Sequence, residues 1–201
     1  RLLLTLAEAP CEEIAEGLEA LVCSFPAEIV PFAAQLVSQL AANFYQVMGS
    51  AGEDDDEAGA AAMGSMQTMG SVLQACSGLG AGGDCADAQR REALFGGMAA
   101  PLAPLLARLL RPEGVDFLEE ACEILSYLVL YGPSPLPAPL WGLLPQLFQA
   151  VCGHPTPSLP LAQAFEGGWA VDLASSMLRP LECYMARGPP ELFVAGRWEE
   201  A

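Results

Sequence analysis

The chain has 201 residues, 53% hydrophobic and only 16% charged, with 25 acids against 8 basic residues, all of them arginine, for a formal charge of −17. So acidic a chain repels phosphate backbones, and its only basic cluster is Arg90-Arg91, which excludes nucleic-acid binding. Seven cysteines with no C-x-x-C pair and a single histidine, His154, exclude a zinc cage; the odd, unpatterned thiols point to a reducing compartment.

Residues 2–7 read as the tail of a helix. From Cys11 to Phe25, after Pro10, the residues Ile14, Leu18, Leu21, Val22 and Phe25 share one face, and Pro26 stops the pattern. This is the second helix of an incomplete repeat. A first helix over 27–49 follows, carrying Pro31. Its uncharged span 29–52 has Gln35, Ser38, Gln39, Asn43 and Gln46 at helical spacing, which gives it a wet face.

The run Glu53, Asp54, Asp55, Asp56 and Glu57 reads as a solvated loop supplying negative charge to the start of the next helix, with one of the three aspartates as N-cap. The alternative is a contact for a basic partner. The helix over 55–77 is rich in small residues that permit close helix approach; Met63, Met66 and Met69 form either core packing or an adaptable contact surface. Residues 78–87 are a Gly-rich linker. They do not follow a strand, so they are no dinucleotide loop.

From Ala100 to Gly132 the sequence predicts a helical hairpin. Leu102, Leu105, Leu106, Leu109 and Leu110 fall on one side of a helix over 88–111, and Pro112 and Gly114 break it. In the partner helix, 115–131, Phe117, Ala121, Ile124, Leu125 and Leu128 share one face, and Asp116, Glu119, Glu120 and Glu123 share the other. Pro-rich linkers at 133–139 and 153–163 flank a helix over 138–152; another runs over 165–187. Residues 189–200 read as the start of a further first helix.

The uncharged span from Ile124 to Phe165 is cut by prolines from Pro133 to Pro160, and no apolar run nears the roughly 18 residues of a membrane helix. No membrane insertion and no signal peptide are expected. One histidine in a Pro-rich loop gives no nucleophilic triad, and exposed carboxylates give no shaped acid–base site, so no catalytic, cofactor or metal residues are assigned and no enzyme is expected.

Pro31, Pro104 and Pro145 each lead a first helix but lie 73 and 41 residues apart, a degenerate repeat. The fold class is all-α, an α-solenoid of HEAT-type hairpins. The division is a partial repeat at 1–26, a repeat at 27–78, the linker 79–87, repeats at 88–132 and 133–188, and the start of another at 189–201. Beginning in mid-pattern, the chain reads as a fragment of a longer superhelix.

Four stretches carry a family resemblance: DDDEAGAAAMGSMQTMGSVL (54–73), PLAPLLARLLRPEGVDFLEEACEILSYLVLYG (101–132), LPAPLWGLLPQLFQAV (136–151) and SSMLRPLECYMARG (175–188). In order and spacing they resemble the C-terminal HEAT repeats of importin-β superfamily nuclear transport receptors, nearest the importin seven and importin eight branch. The resemblance covers most of 25–193 and departs from it in the Gly-rich insert at 78–87 and the Pro-rich expansion around 153–163. It implies a receptor that shuttles between cytoplasm and nucleus through the pore, meeting nucleoporins, with the GTPase Ran held mainly by repeats outside this chain. It also implies that second helices line the concave side and help enclose cargo. The acids 53–57, 116, 119, 120 and 123 are then the candidate contacts for a basic protein cargo. A HEAT scaffold or adaptor outside nuclear transport is the alternative.

Overall fold

Apolar residues three and four apart decide which parts of this chain are helical, and prolines decide where the helices break. The structure, a computed structural model, describes residues 12–50, 56–79, 85–152 and 168–188. Among them every regular element is a helix and there is no strand. The fold is all-α, assembled from the packed helical hairpins of an α-solenoid. The chain divides into two units, Arg1–Leu102 and Ala103–Ala201.

In the first unit, α1 (Glu12–Ser24) buries Ala15, Leu18 and Val22. The sequence-predicted helix over 27–49 is in fact three pieces: α2 (Pro26–Ile29), a 3-10 turn (Val30–Phe32) and α3 (Ala33–Ser50). Pro31 explains the break. It has no N–H for the α-helical ladder, and its ring crowds the carbonyl four residues back. Next, α4 (Asp56–Ser77) packs against both α1 and α3.

Hydrogen bonds fix the directions of these helices. Asn43 of α3 reaches Ser65 of α4, 22 residues on, which is the antiparallel pairing of a hairpin. Against α1, contacts advance together along both helices: Thr68 Oγ1 lies 3.3 Å from the Ala15 carbonyl, and the Ser71 hydroxyl donates to Glu19 at 2.9 Å. So α1 and α4 run parallel, with partners 53 and 52 residues apart. Gly64 permits their close approach, since a Cβ there would lie 2.8 Å from that of Ala15.

Between them in sequence and the second unit runs α5 (Cys85–Leu109). It begins inside the stretch read as linker and, like the helix expected over 88–111, runs through Pro101 and through Pro104, the proline read as leading a first helix. The carbonyls these prolines leave without an N–H partner belong to Gly97 and Ala100, both exposed, where water serves as donor.

In the second unit, Ala103, Leu105, Leu106, Leu109 and Leu110 are buried. The chain reverses at Gly114, whose N–H donates to the Arg111 carbonyl at 2.9 Å. A Cβ on Gly114 would sit 2.4 Å from the Leu109 carbonyl oxygen, so only glycine fits here without displacement. The predicted helix over 115–131 resolves into a 3-10 turn (Pro112–Phe117) and α6 (Leu118–Tyr131). Likewise 138–152 is α7 (Ala138–Trp141) and α8 (Leu144–Cys152), broken at Gly142-Leu143. The last predicted helix is a 3-10 turn (Val171–Leu173) leading into α9 (Ala174–Arg187); its first residues, 165–167, lie outside the described ones.

Here too the second helices pair in parallel. From α9, Ser176 donates to Glu119, 57 residues back, and Arg187 donates to the carbonyls of Gly132 and Pro133, 55 and 54 back. Both units thus show a contact offset near one repeat, more regular than the proline spacing.

Candidate partner-binding face

Four of the nine acids singled out by sequence, Asp116, Glu119, Glu120 and Glu123, lie on α6 and the turn that leads into it, beside α9. Burial of Leu118, Ala121, Cys122, Ile124, Leu125 and Leu128 turns the opposite face of α6 outward. Glu119 and Glu123 are exposed, and so is Asp116 in the preceding 3-10 turn; Glu120, on the shoulder of the helix, is half-buried. Their place near the helix start suits the positive end of its dipole. Glu119 is not free, since its carboxylate accepts from Ser176 of α9 at 3.2 Å.

Two arginines that the sequence reading left unassigned complete the seam. The Arg179 guanidinium lies over the Tyr127 ring, 5.3 Å from its centroid, and Tyr131 stacks on Tyr127 at 6.2 Å. Arg187 donates to the Gly132 and Pro133 carbonyls at 2.7 and 2.9 Å, satisfying acceptors at the C-terminal end of α6. Carboxylates stand at the N-terminal end of α6 and Arg187 in the last turn of α9, each where the helix dipole favours it, with Arg179 and the exposed Glu182 between them along α9. No sequence motif announced it. Arg179 and Tyr127 stand 52 positions apart, and only the packing brings them together.

In the first unit, Asp56 and Glu57 are exposed in the first turn of α4, and Asp56 is already the first helical residue. Glu53, Asp54 and Asp55 lie outside the described residues. The acids of α4 and of α6 belong to different units.

The buried thiols are poor nucleophiles. Burial pushes Cys76 up to about 11; burial, with the nearby Glu119 carboxylate adding to it, pushes Cys122 up to about 12. Cys183 is raised too, chiefly by burial. Among the described residues no group of three or more His, Cys, Asp or Glu is placed to hold a metal ion, and no single helix is long and apolar enough to cross a membrane. Those helices that are strongly apolar bury that character: Phe44, Met66, Met69 and Leu73 are all in the core. The Met66 and Met69 stripe is therefore core packing, and only Met63 is half-exposed.

No family model matches the chain, and no solved structure matches it. Two curated proteins do. An importin beta-like SAD2 homolog of Arabidopsis thaliana is 29% identical over 184 residues, 90% of this chain. A probable importin-7 homolog of Dictyostelium discoideum is 27% identical over 183 residues, 91% of this chain. The chain spans 15% of the length of each.

Proposed function

We propose that this chain, which belongs to the importin-β superfamily, is a cargo-facing segment of a nuclear transport receptor, and that its cargo is a basic protein. The observation that carries this reading is similarity to two importin-like proteins over nine-tenths of the chain. The formal charge of −17 supports the sign of the cargo. The parallel second helices α6 and α9 supply a wall on which carboxylates recur, with Asp116, Glu119, Glu120 and Glu123 on α6 and its leading turn; Glu53 to Glu57 introduce α4. Exposed pairs contribute only about 0.2–1 kcal/mol each, so such a surface rewards a multivalent basic segment and weakens with salt.

On this reading the whole receptor moves between cytoplasm and nucleus, meets nucleoporins in the pore, and releases cargo when Ran-GTP binds repeats outside this chain. The test uses the full-length receptor, immobilised and loaded with a basic protein such as a histone or ribosomal protein. Ran locked in its GTP form elutes the cargo, and Ran-GDP does not. Cargo binding indifferent to both overturns the transport reading in favour of a scaffold.

A further inference from the structure

Among the described residues the buried polar side chains are Asn43, Ser65, Thr68 and Ser126. Each of the three hydroxyls donates to the carbonyl four residues back in its own helix, at 3.0 Å for Ser65, 2.8 Å for Thr68 and 2.7 Å for Ser126. Asn43 is different. Its Nδ2 reaches across to the Ser65 oxygen at 3.5 Å, and its Oδ1 is buried without a partner. Every other buried residue of α3, from Ala33 to Val47, is apolar. A buried amide with an unmatched oxygen costs stability. Packing does not demand it, since Leu40 and Val47, one turn to either side, show that this layer takes aliphatic side chains.

We propose that the Asn43–Ser65 contact is a register lock: it selects one alignment of α3 on α4 from several that apolar packing alone would accept. Two helix faces of similar apolar residues fit one another at more than one offset, and a single buried polar pair can separate the offsets. The small and apolar residues around Ser65 on α4, Ala61, Ala62, Met66 and Met69, discriminate poorly by themselves. On its other side α4 is already placed against α1, through Gly64 beside Ala15, Thr68 near the Ala15 carbonyl, and the Ser71–Glu19 hydrogen bond. The offset left to be chosen is that of α3.

Both directions of slip are closed to Asn43. One turn toward the start of α4 it comes opposite Ala61 and Ala62, whose side chains carry no acceptor. One turn toward the end of α4 it comes opposite Met69, while the neighbouring Thr68 hydroxyl is turned toward α1. In either alignment the whole amide is buried without its cross-helix partner, and the Ser65 oxygen loses its donor. The pair therefore works by making the wrong alignments worse, not by making the right one strong.

The experiment uses the full chain, and reads urea unfolding together with methyl NMR of Leu40, Val47, Met69 and Leu73. The parent gives one set of methyl signals. Asn43→Val combined with Ser65→Ala removes both polar groups at nearly constant volume. Its urea midpoint is expected at or above that of the parent, while the methyl signals split, a second set holding about a tenth or more of the intensity. Exchanging the pair, Asn43→Ser with Ser65→Asn, restores a polar contact across the two helices and with it a single set, which separates the lock from a general repacking effect. Ser65→Ala alone lowers the midpoint and splits the same signals, so the smallest change decides the matter if the doubly apolar variant does not fold. A single set of signals in Ser65→Ala or in the doubly apolar variant overturns the proposal, because α1 and the apolar contacts then fix the register unaided. A doubly apolar variant with a lower midpoint and one set of signals overturns it as well, since the pair then serves stability.

Discussion

Tyr184 of α9 donates its hydroxyl hydrogen to the backbone carbonyl of Leu140 in α7, 44 residues earlier. Both residues are buried, and the Trp141 ring lies 5.4 Å from that of Tyr184. The bond ties the last helix to the short turn of helix ahead of the Gly142-Leu143 break. Burial also holds the phenol well above its ordinary pKa, so it stays a donor throughout the working range. Tyr184→Phe keeps the ring packing and leaves the Leu140 carbonyl without that donor, so stability falls by about 1–3 kcal/mol. Urea unfolding checks this; a variant as stable as the parent would mean that water or another donor replaces the phenol.

Two glycine-to-alanine changes have opposite expected signs. At Gly114 the added methyl meets backbone atoms of Leu109 at 2.4–2.8 Å, and backbone yields less readily than a side-chain tip. Gly114→Ala lowers stability by about 1–3 kcal/mol, the ordinary range for overpacking. Gly97 lies in the exposed middle of α5 with nothing within 4 Å of a Cβ. Gly97→Ala therefore raises stability by about 0.5–1 kcal/mol through helix propensity. Thermal melts of the two variants side by side give the comparison.

Much of this was legible from the 3.6-residue period alone. Leu105, Leu106 and Leu109 point inward, and Asp116, Glu119 and Glu123 point outward, because each helix buries one stripe. Helix ends were harder. Pro104 looks like the lead of a first helix, yet it and Pro101 are tolerated well inside α5, where the carbonyls they orphan belong to the exposed Gly97 and Ala100. Pro31 looks compatible with a continuous helix, yet it forces a 3-10 turn. Least legible were the parallel pairings of α1 with α4 and α6 with α9. They join residues more than 50 apart through single bonds such as Ser71–Glu19, and no local pattern encodes those. The candidate face was read as purely acidic for that reason: Arg179 comes to it from another helix.

The buried thiols make a pH prediction. Cys76 and Cys122 titrate near 11 and 12 in the folded chain against an ordinary 9.0. A folded pKa raised above the unfolded one means that the unfolded state loses its protons first as pH rises. The stability these neutral thiols contribute is complete below pH 9 and is lost as pH rises through 9 toward 11–12. Alkaline unfolding therefore moves to higher pH in Cys122→Ala. At neutral pH a disulfide reagent labels the exposed Cys23 and Cys85 quickly, and reaches Cys76 and Cys122 only at the rate of unfolding.

The seam between α6 and α9 allows a test with internal controls of opposite sign. Neutralising Asp116, Glu119, Glu120 and Glu123 together, with Asn and Gln, removes four carboxylates that face or border solvent. If they meet a basic cargo, affinity falls by about tenfold at low salt, several contacts of about 0.2–1 kcal/mol each, and falls less at high salt, where the parent interaction is already screened. Arg179 lies on the same seam with the opposite charge. Arg179→Gln removes a repulsion and uncovers the Tyr127 ring to an incoming cation, so it strengthens cargo binding where the carboxylate changes weaken it. Both sets leave the α6 core residues untouched, so helix content serves as the folding check. Cargo titrations at two ionic strengths separate the outcomes. Opposite shifts that shrink with salt place the cargo on this seam, and the absence of either shift removes the α6–α9 face from the list of cargo surfaces.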